Sequence, residues 1–342
     1  MIKESYYQEN LLGVDFSKQD LGGVSFNECK ISQCNFSQAS LVGASFNNCT
    51  IERSIFKGSN QSLLSVTECE LLDNDCSDSR MKGANFSQTL LKDCNYSHND
   101  LFSASFTKCE LIDIDFTAGS LKLVSFCDSR LDTVNFSKAN MKGGSLVKCQ
   151  KVKICLIDAS LEKAVISHTH FLDYDFSSVN LISANFIHCN LQGVSFNTNK
   201  MMKLSRFINV NLDDAEFIKV DSPYIFLQGA YLNNVKILNS NFLSANLSQT
   251  NADNLALKDV ELSRANLSES VFNGSRFINC NFESILLHYA SFHQCEIDQT
   301  ELSQAALYKT KIIKSKVSGK EVNKILGSNK EMEQADAWSP AY

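Results

Sequence analysis

Large apolar side chains recur along this chain at every fifth residue. From Leu11 to Met201, 37 of 39 such positions hold Leu, Ile, Val, Met, Phe, Tyr or Cys; Gln61 and Lys151 are the exceptions. The frame then slips by one residue within 202–206 and resumes at Phe207. From there to Val317, Ser222 is the one polar residue among 23 positions. These positions hold 21 of the 23 phenylalanines. A helix repeats at about 3.6 residues and a strand at about 2, so neither element concentrates its apolar residues this way. A fixed period is the mark of a repeat architecture.

Two residues before each large position stands a small one: Ala39, Ala44, Ala84, Ala104, Ala139, Ala184, Ala245 and Ala265, with Ser, Val or Cys elsewhere. The other three positions are mostly Ser, Asn, Asp, Lys or Gln. Stretches such as LVGASF, MKGANF and LISANF resemble the pentapeptide-repeat family, whose motif is A(D/N)LXX. The resemblance spans roughly residues 11–320. It implies an all-β, right-handed, four-sided parallel β-helix with one pentapeptide per side.

The residues supply a separate argument for four sides. Positions whose numbers end in 6 carry 13 Phe and one Tyr among 19, whereas those ending in 1 are mainly Leu, Ile or Met. Aromatic and aliphatic units alternate, so opposite sides of a square match and neighbouring sides differ. About 15 coils at the ~4.8 Å inter-strand spacing predict a rod roughly 70 Å long.

The expected organisation is an N-terminal cap over 1–10, a first β-helical frame over 11–201, a bulge at 202–206, and a second frame over 207–318. A short capping helix follows over 319–327, then a polar tail over 328–342. Ser318-x-x-Glu321 reads as a capping box, with Val322, Ile325 and Leu326 as the apolar stripe of that helix. Trp338, the one tryptophan, is a candidate anchor for a partner's pocket. Pro223 beside Ser222 predicts a missing ladder donor and a weak point. A monomer or a C-terminal end-to-end homodimer is expected, the latter from the family resemblance.

Composition narrows the function. A net charge of −6 argues against direct nucleic-acid binding, which calls for a basic surface. No apolar run predicts a signal peptide or membrane insertion, so the expectation is a cytoplasmic protein, or one exported without a cleaved signal. Ten of 13 cysteines lie at the small inward position, six of them (Cys29, Cys49, Cys69, Cys109, Cys149, Cys189) in one column. They read as small fillers rather than a metal ladder, because Ala, Val, Thr and Ser alternate with them. The six histidines have no metal-ligand spacing with Cys. No nucleophile elbow, phosphate loop or zinc-protease motif occurs. Neither enzyme activity, metal nor cofactor is expected.

Charge is the one surface feature with a pattern. Residues 68–132 carry twelve acids against six bases, and Asp73, Asp93 and Asp113 lie twenty apart, so they stack in one column. Asp75, Glu110 and Asp115 flank it. Stacked like charges are unfavourable, so this column is the candidate protein-binding face. The expected function is a non-enzymatic interaction scaffold or bacterial effector-type module. The alternative, from the resemblance, is a DNA-mimicking modulator of a type II topoisomerase, protecting gyrase from quinolones or toxins.

Overall fold

The structure is a computed structural model that describes residues 3–318. Its contacts divide into two units: one runs to His170 and takes Ser178–Leu181, the other comprises Phe171–Ser177 and the chain from Ile182 onward. Both are stacks of four-sided β-helical coils. Glu321, Val322, Ile325, Leu326 and Trp338, with the expected capping helix and tail, lie outside the described residues.

In the first unit, side one is a parallel sheet whose inward residues are paired in the order Tyr6, Phe26, Phe46, Val66, Phe86, Phe106, Phe126, Leu146 and Ile166. Side two pairs Leu11, Ile31, Ile51, Leu71, Leu91, Leu111 and Leu131. Sides three and four are joined by single bridges, such as Asp15 to Asn35 and Asp20 to Ser40. Each step is twenty residues, so identical slots stack coil on coil.

The aromatic alternation becomes two facing stacks. Phe16, Phe36 and Phe56 stack with centroids 4.9 and 4.6 Å apart, while Phe26 and Phe46 stack at 4.7 Å from the opposite side. Between the stacks the rings meet edge to face at 6.4–6.5 Å. Both geometries suit the ring quadrupole. In the first unit the aromatic core thus comes in two runs, from Tyr6 to Phe56 and from Phe86 to Phe136, separated by Val66 and Cys76 and edged by Leu and Ile.

Residues 3–10 differ from the expected cap. Ser5–Tyr7 and Asn10–Leu12 are already strands, and Tyr6 stacks 4.8 Å from Phe26. The repeat therefore begins at Tyr6, in the same frame as the phenylalanines. At the other end of the described chain, Phe282, Leu287, Phe292, Ile297, Leu302 and Leu307 line an apolar hollow of about 10 Å³. That is scarcely room for one water, far below a small-molecule site.

The second unit pairs Phe217, Ile237, Leu257, Phe277, Ile297 and Val317 on one side, and Ala252, Phe272, Phe292 and Ile312 on another. The frame slip falls earlier than the expected 202–206. Met202 is fully buried while Met201 is 39% exposed, so the six-residue unit holds its extra residue between Asn199 and Met202. Pairing steps of 21, as in Asn185 to Arg206 and Phe186 to Phe207, record it. Buried Asn199 staples the bulge: its amide donates to the Phe176 carbonyl at 2.7 Å, and its side-chain oxygen accepts the Met201 N–H at 2.7 Å.

Pro223 does not break the ladder. On the bridged sides the residue directly after an inward one commonly gives its N–H to the side chain two residues earlier, as Ser37 does to Asn35 (3.0 Å) and Leu243 to Asn241 (3.1 Å). Pro223 occupies that slot, where no ladder donor is lost. The true irregularity is at Lys151. Lys151 is exposed, and the strand Gln150–Cys155 shifts register against Arg130–Asn135 on both sides of Asp132. A lysine cannot enter the aliphatic column unpaired, so the chain bulges to carry it out.

Candidate functional site

Nearly every five-residue unit turns its corner at the second residue after the inward one, and that residue has φ near +55°, as at Gln8, Lys18 and Asp73. The left-handed conformation costs a non-glycine residue about 1–2 kcal/mol, which the coil-to-coil hydrogen bonds offset. It also aims the corner side chain straight outward. Asp73, Asp93 and Asp113 occupy three successive corners, with φ of 54°, 54° and 53°. The pairing of Leu71, Leu91 and Leu111 stacks them in register, and all three are exposed.

Their local electrostatics is sparse. The Lys92 ammonium reaches Asp93 at 3.9 Å. Beyond the column Arg130 bridges Asp132 at 2.6 Å and Glu110 at 3.4 Å, and holds the Asp132 carboxyl below its usual range. Elsewhere acids are interleaved. Asn241 donates to Asp221, Asn234 to Asp214 and Asn273 to Asp253; Lys236 pairs with Glu216 and Arg276 with Glu296. Asp73, Asp93 and Asp113 form the one outward column among the described residues with carboxylates on three coils running.

The flanking acids serve differently. Asp75 accepts the Ser77 N–H at 3.0 Å and Asp115 the Thr117 N–H at 2.9 Å, so both close turns. Asn35, Asn95 and Asn135 do the same work. The recurring Asx–X–Ser/Thr at these positions, as in Asn35-Phe36-Ser37, is the sequence signal that sets them apart from the column. Glu110 stays exposed, 3.4 Å from Arg130. Ser318 ends the strand Lys316–Ser318, where its hydroxyl donates to Asp298.

The cysteines prove to be more than fillers. After side one no turn supplies an acceptor for the inward small residue's N–H. A thiol or hydroxyl one coil on takes it instead: Cys29 N–H meets Cys49 Sγ at 3.4 Å and Cys109 N–H meets Ser129 Oγ at 3.1 Å. After sides three and four a turn bond satisfies the same N–H, as from Ala39 to the Phe36 carbonyl and Ala44 to that of Leu41, and alanine suffices. Hence every slot after side one from Cys29 to Cys189 holds Cys, Ser or Thr. Several thiols also donate to a carbonyl of the previous coil, Cys69 to Phe46 and Cys109 to Phe86 at 3.4 Å. All thirteen cysteines are free. Burial pushes the thiols of Cys94 and Cys109 up to about 11 and those of Cys149 and Cys280 up to about 12. Among the described residues no three His, Cys, Asp or Glu side chains gather as a metal site.

Twenty-residue coils, inward Phe and Leu, and left-handed corners together define a quadrilateral β-helix. The family model for pentapeptide repeats (8 copies) matches residues 10–48, 20–58, 79–117, 154–197 and 265–304, about half the chain. The chain belongs to the pentapeptide-repeat family. Among solved structures it is similar to a trypsin-treated form of QnrB1, a plasmid-mediated fluoroquinolone resistance protein, at 18% identity over 67% of this chain and 92% of that one, TM-score 0.30. It is also similar to HetL, involved in heterocyst differentiation regulation in the cyanobacterium Nostoc sp. strain PCC 7120, at 19% identity over 73% and 89%, TM-score 0.20. No curated protein matches the chain.

Proposed function

We propose that the chain is a non-enzymatic protein-interaction scaffold whose acidic corner, Asp73, Asp93 and Asp113, docks a partner bearing a basic strip. The observation that carries this reading is three carboxylates on successive coils with no amide or base between them, which no other outward column among the described residues has. Three like charges on successive coils are unfavourable for the folded chain by themselves. A cationic partner would relieve that repulsion and gain on-rate from steering. The same surface would serve in the producing cell or, as an effector-type module, in a host cell.

The column also favours a second, narrower reading, as a modulator of a type II topoisomerase. Duplex DNA carries one charge per ~1.7 Å, whereas one carboxylate per coil gives one per ~4.8 Å. This corner has about a third of the duplex density, which supports local docking over mimicry along the whole chain. Two experiments separate the readings. Capture of partners by the parent, but not by Asp73→Asn/Asp93→Asn/Asp113→Asn, is expected, with loss in high salt; equal capture by both would refute the docking corner. A gyrase supercoiling assay with and without quinolone should respond to the parent only under the second reading.

A further inference from the structure

In the first unit the corner after side four lies diagonally across the square from the acidic one, and between Gly43 and Gly143 it carries no charge. Leu63 and Leu123 occupy it with φ of 58° each, 66% and 51% exposed. Phe102 and Val42, one residue earlier in their own coils, are 42% and 36% exposed. Bridges running from Ser40 through Asn60, Arg80, Asp100 and Ser120 to Asn140 hold these residues in register. Glycine fills the corner one coil beyond each leucine. A Cβ on Gly83 would stand 3.1 Å from Leu63 Cδ2, and one on Gly143 2.8 Å from Leu123 Cδ2. The leucines therefore lie along the edge, over bare backbone. A leucine here bears the left-handed cost with little burial in return, although Gly43, Gly83 and Gly143 show that the corner accepts glycine.

The charged side chains within these two columns are lysines, and one of them is unpaired among the described residues. From Val42 to Gly143 the two columns contain Lys82, Lys122 and Lys142 and no acid. Lys82 is paired with Asp100 at 3.2 Å and Lys142 with Glu162 at 2.8 Å; Lys122 makes no ion pair among the described residues. An edge that exposes Val42, Leu63, Phe102 and Leu123 with lysines beside them has the composition of a surface that lies on a bilayer. Such surfaces sink apolar groups some 5–10 Å into the headgroup boundary and gain from anionic lipid. Single-stranded nucleic acid would call for stacking aromatics instead, and only Phe102 is aromatic here.

We infer that this edge is a peripheral docking site for an anionic lipid bilayer. Leu63, Phe102 and Leu123 enter the interface, and Lys122 meets the headgroups. The chain adsorbs without spanning, and the acidic corner points away from the like-charged membrane.

The test is co-sedimentation of the full chain with vesicles of equal phosphatidylserine and phosphatidylcholine, against pure phosphatidylcholine. Binding to the anionic vesicles, reduced by salt, is expected. Leu63→Ser/Phe102→Ser/Leu123→Ser should lose it at least about tenfold, and Lys122→Glu more modestly, both with an unchanged circular-dichroism spectrum. Failure of the parent to pellet, or equal pelleting of the triple variant, would overturn the proposal. So would a protein partner or a homodimer that depends on these three residues while vesicles are ignored. None of these outcomes bears on the acidic corner, which is scored with Asp73, Asp93 and Asp113.

Discussion

The Ser222 hydroxyl donates a 2.8 Å hydrogen bond to the backbone carbonyl of Met202, one coil back on the same side. That carbonyl also receives the Ser205 N–H at 3.2 Å. The fully buried serine thus ties its coil to the turn just after the bulge. Ser222→Ala should lower stability by about 1 kcal/mol, measured by urea unfolding. Pro223→Ala should cost less, about 0.5 kcal/mol, through the unfolded chain alone.

Phe106 lies between Phe86 and Phe126, with centroids 4.7 and 4.9 Å away, and is fully buried. Phe106→Ala leaves a gap that neighbouring coils cannot close without breaking register. A loss of about 3–5 kcal/mol is expected.

Replacing Asp73, Asp93 and Asp113 with Asn should leave the fold intact and raise its stability slightly at low salt. Each relieved like-charge contact is worth roughly 0.2–1 kcal/mol. The gain should vanish in high salt, which thermal unfolding at two ionic strengths would reveal.

The buried thiols set an alkaline limit. The folded values of Cys94, Cys109, Cys149 and Cys280 are raised by burial above the ordinary ~8.5 of a free thiol, so the folded state binds these protons more tightly than the unfolded chain does. Their contribution is therefore complete below about pH 8.5 and is lost as pH rises toward the folded values of about 11 to 12. Melting temperature should fall across that window. Under native conditions only Cys127 and Cys155, the two thiols not fully buried, should label quickly.

Backbone amides of residues 150–153 should exchange faster than those of the neighbouring strand Arg130–Asn135, because the register shift interrupts the ladder there. Lys151→Leu should restore protection and add stability.

Much of this fold was legible from the period of five, and the alternation of Phe with Leu was enough to choose a square. The limits have physical causes. Met201 and Met202 are chemically identical, so hydrophobicity could not say which turns inward; the bond from Met201 to Asn199 decides it. Pro223 looked disruptive because composition does not say which N–H groups the ladder uses. Lys151 stood out as polar, yet whether the chain would bury or extrude it depended on the coil around it. The acidic column was readable as a twenty-residue spacing. What sets it apart, amides interleaved in the other columns, emerges only when coils are stacked. The apolar edge was missed because Leu63, Phe102 and Leu123 are outward residues scattered through a sequence whose leucines and phenylalanines are otherwise inward.

The left-handed corner has one more consequence. Asp, Lys, Gln, His, Ser, Leu and Tyr all adopt the same φ there, so the backbone imposes one conformation whatever letter is written. Drift at these positions can rewrite what the molecule presents without disturbing how it folds. Inheritance of shape and inheritance of specificity are carried by separate residues of every pentapeptide.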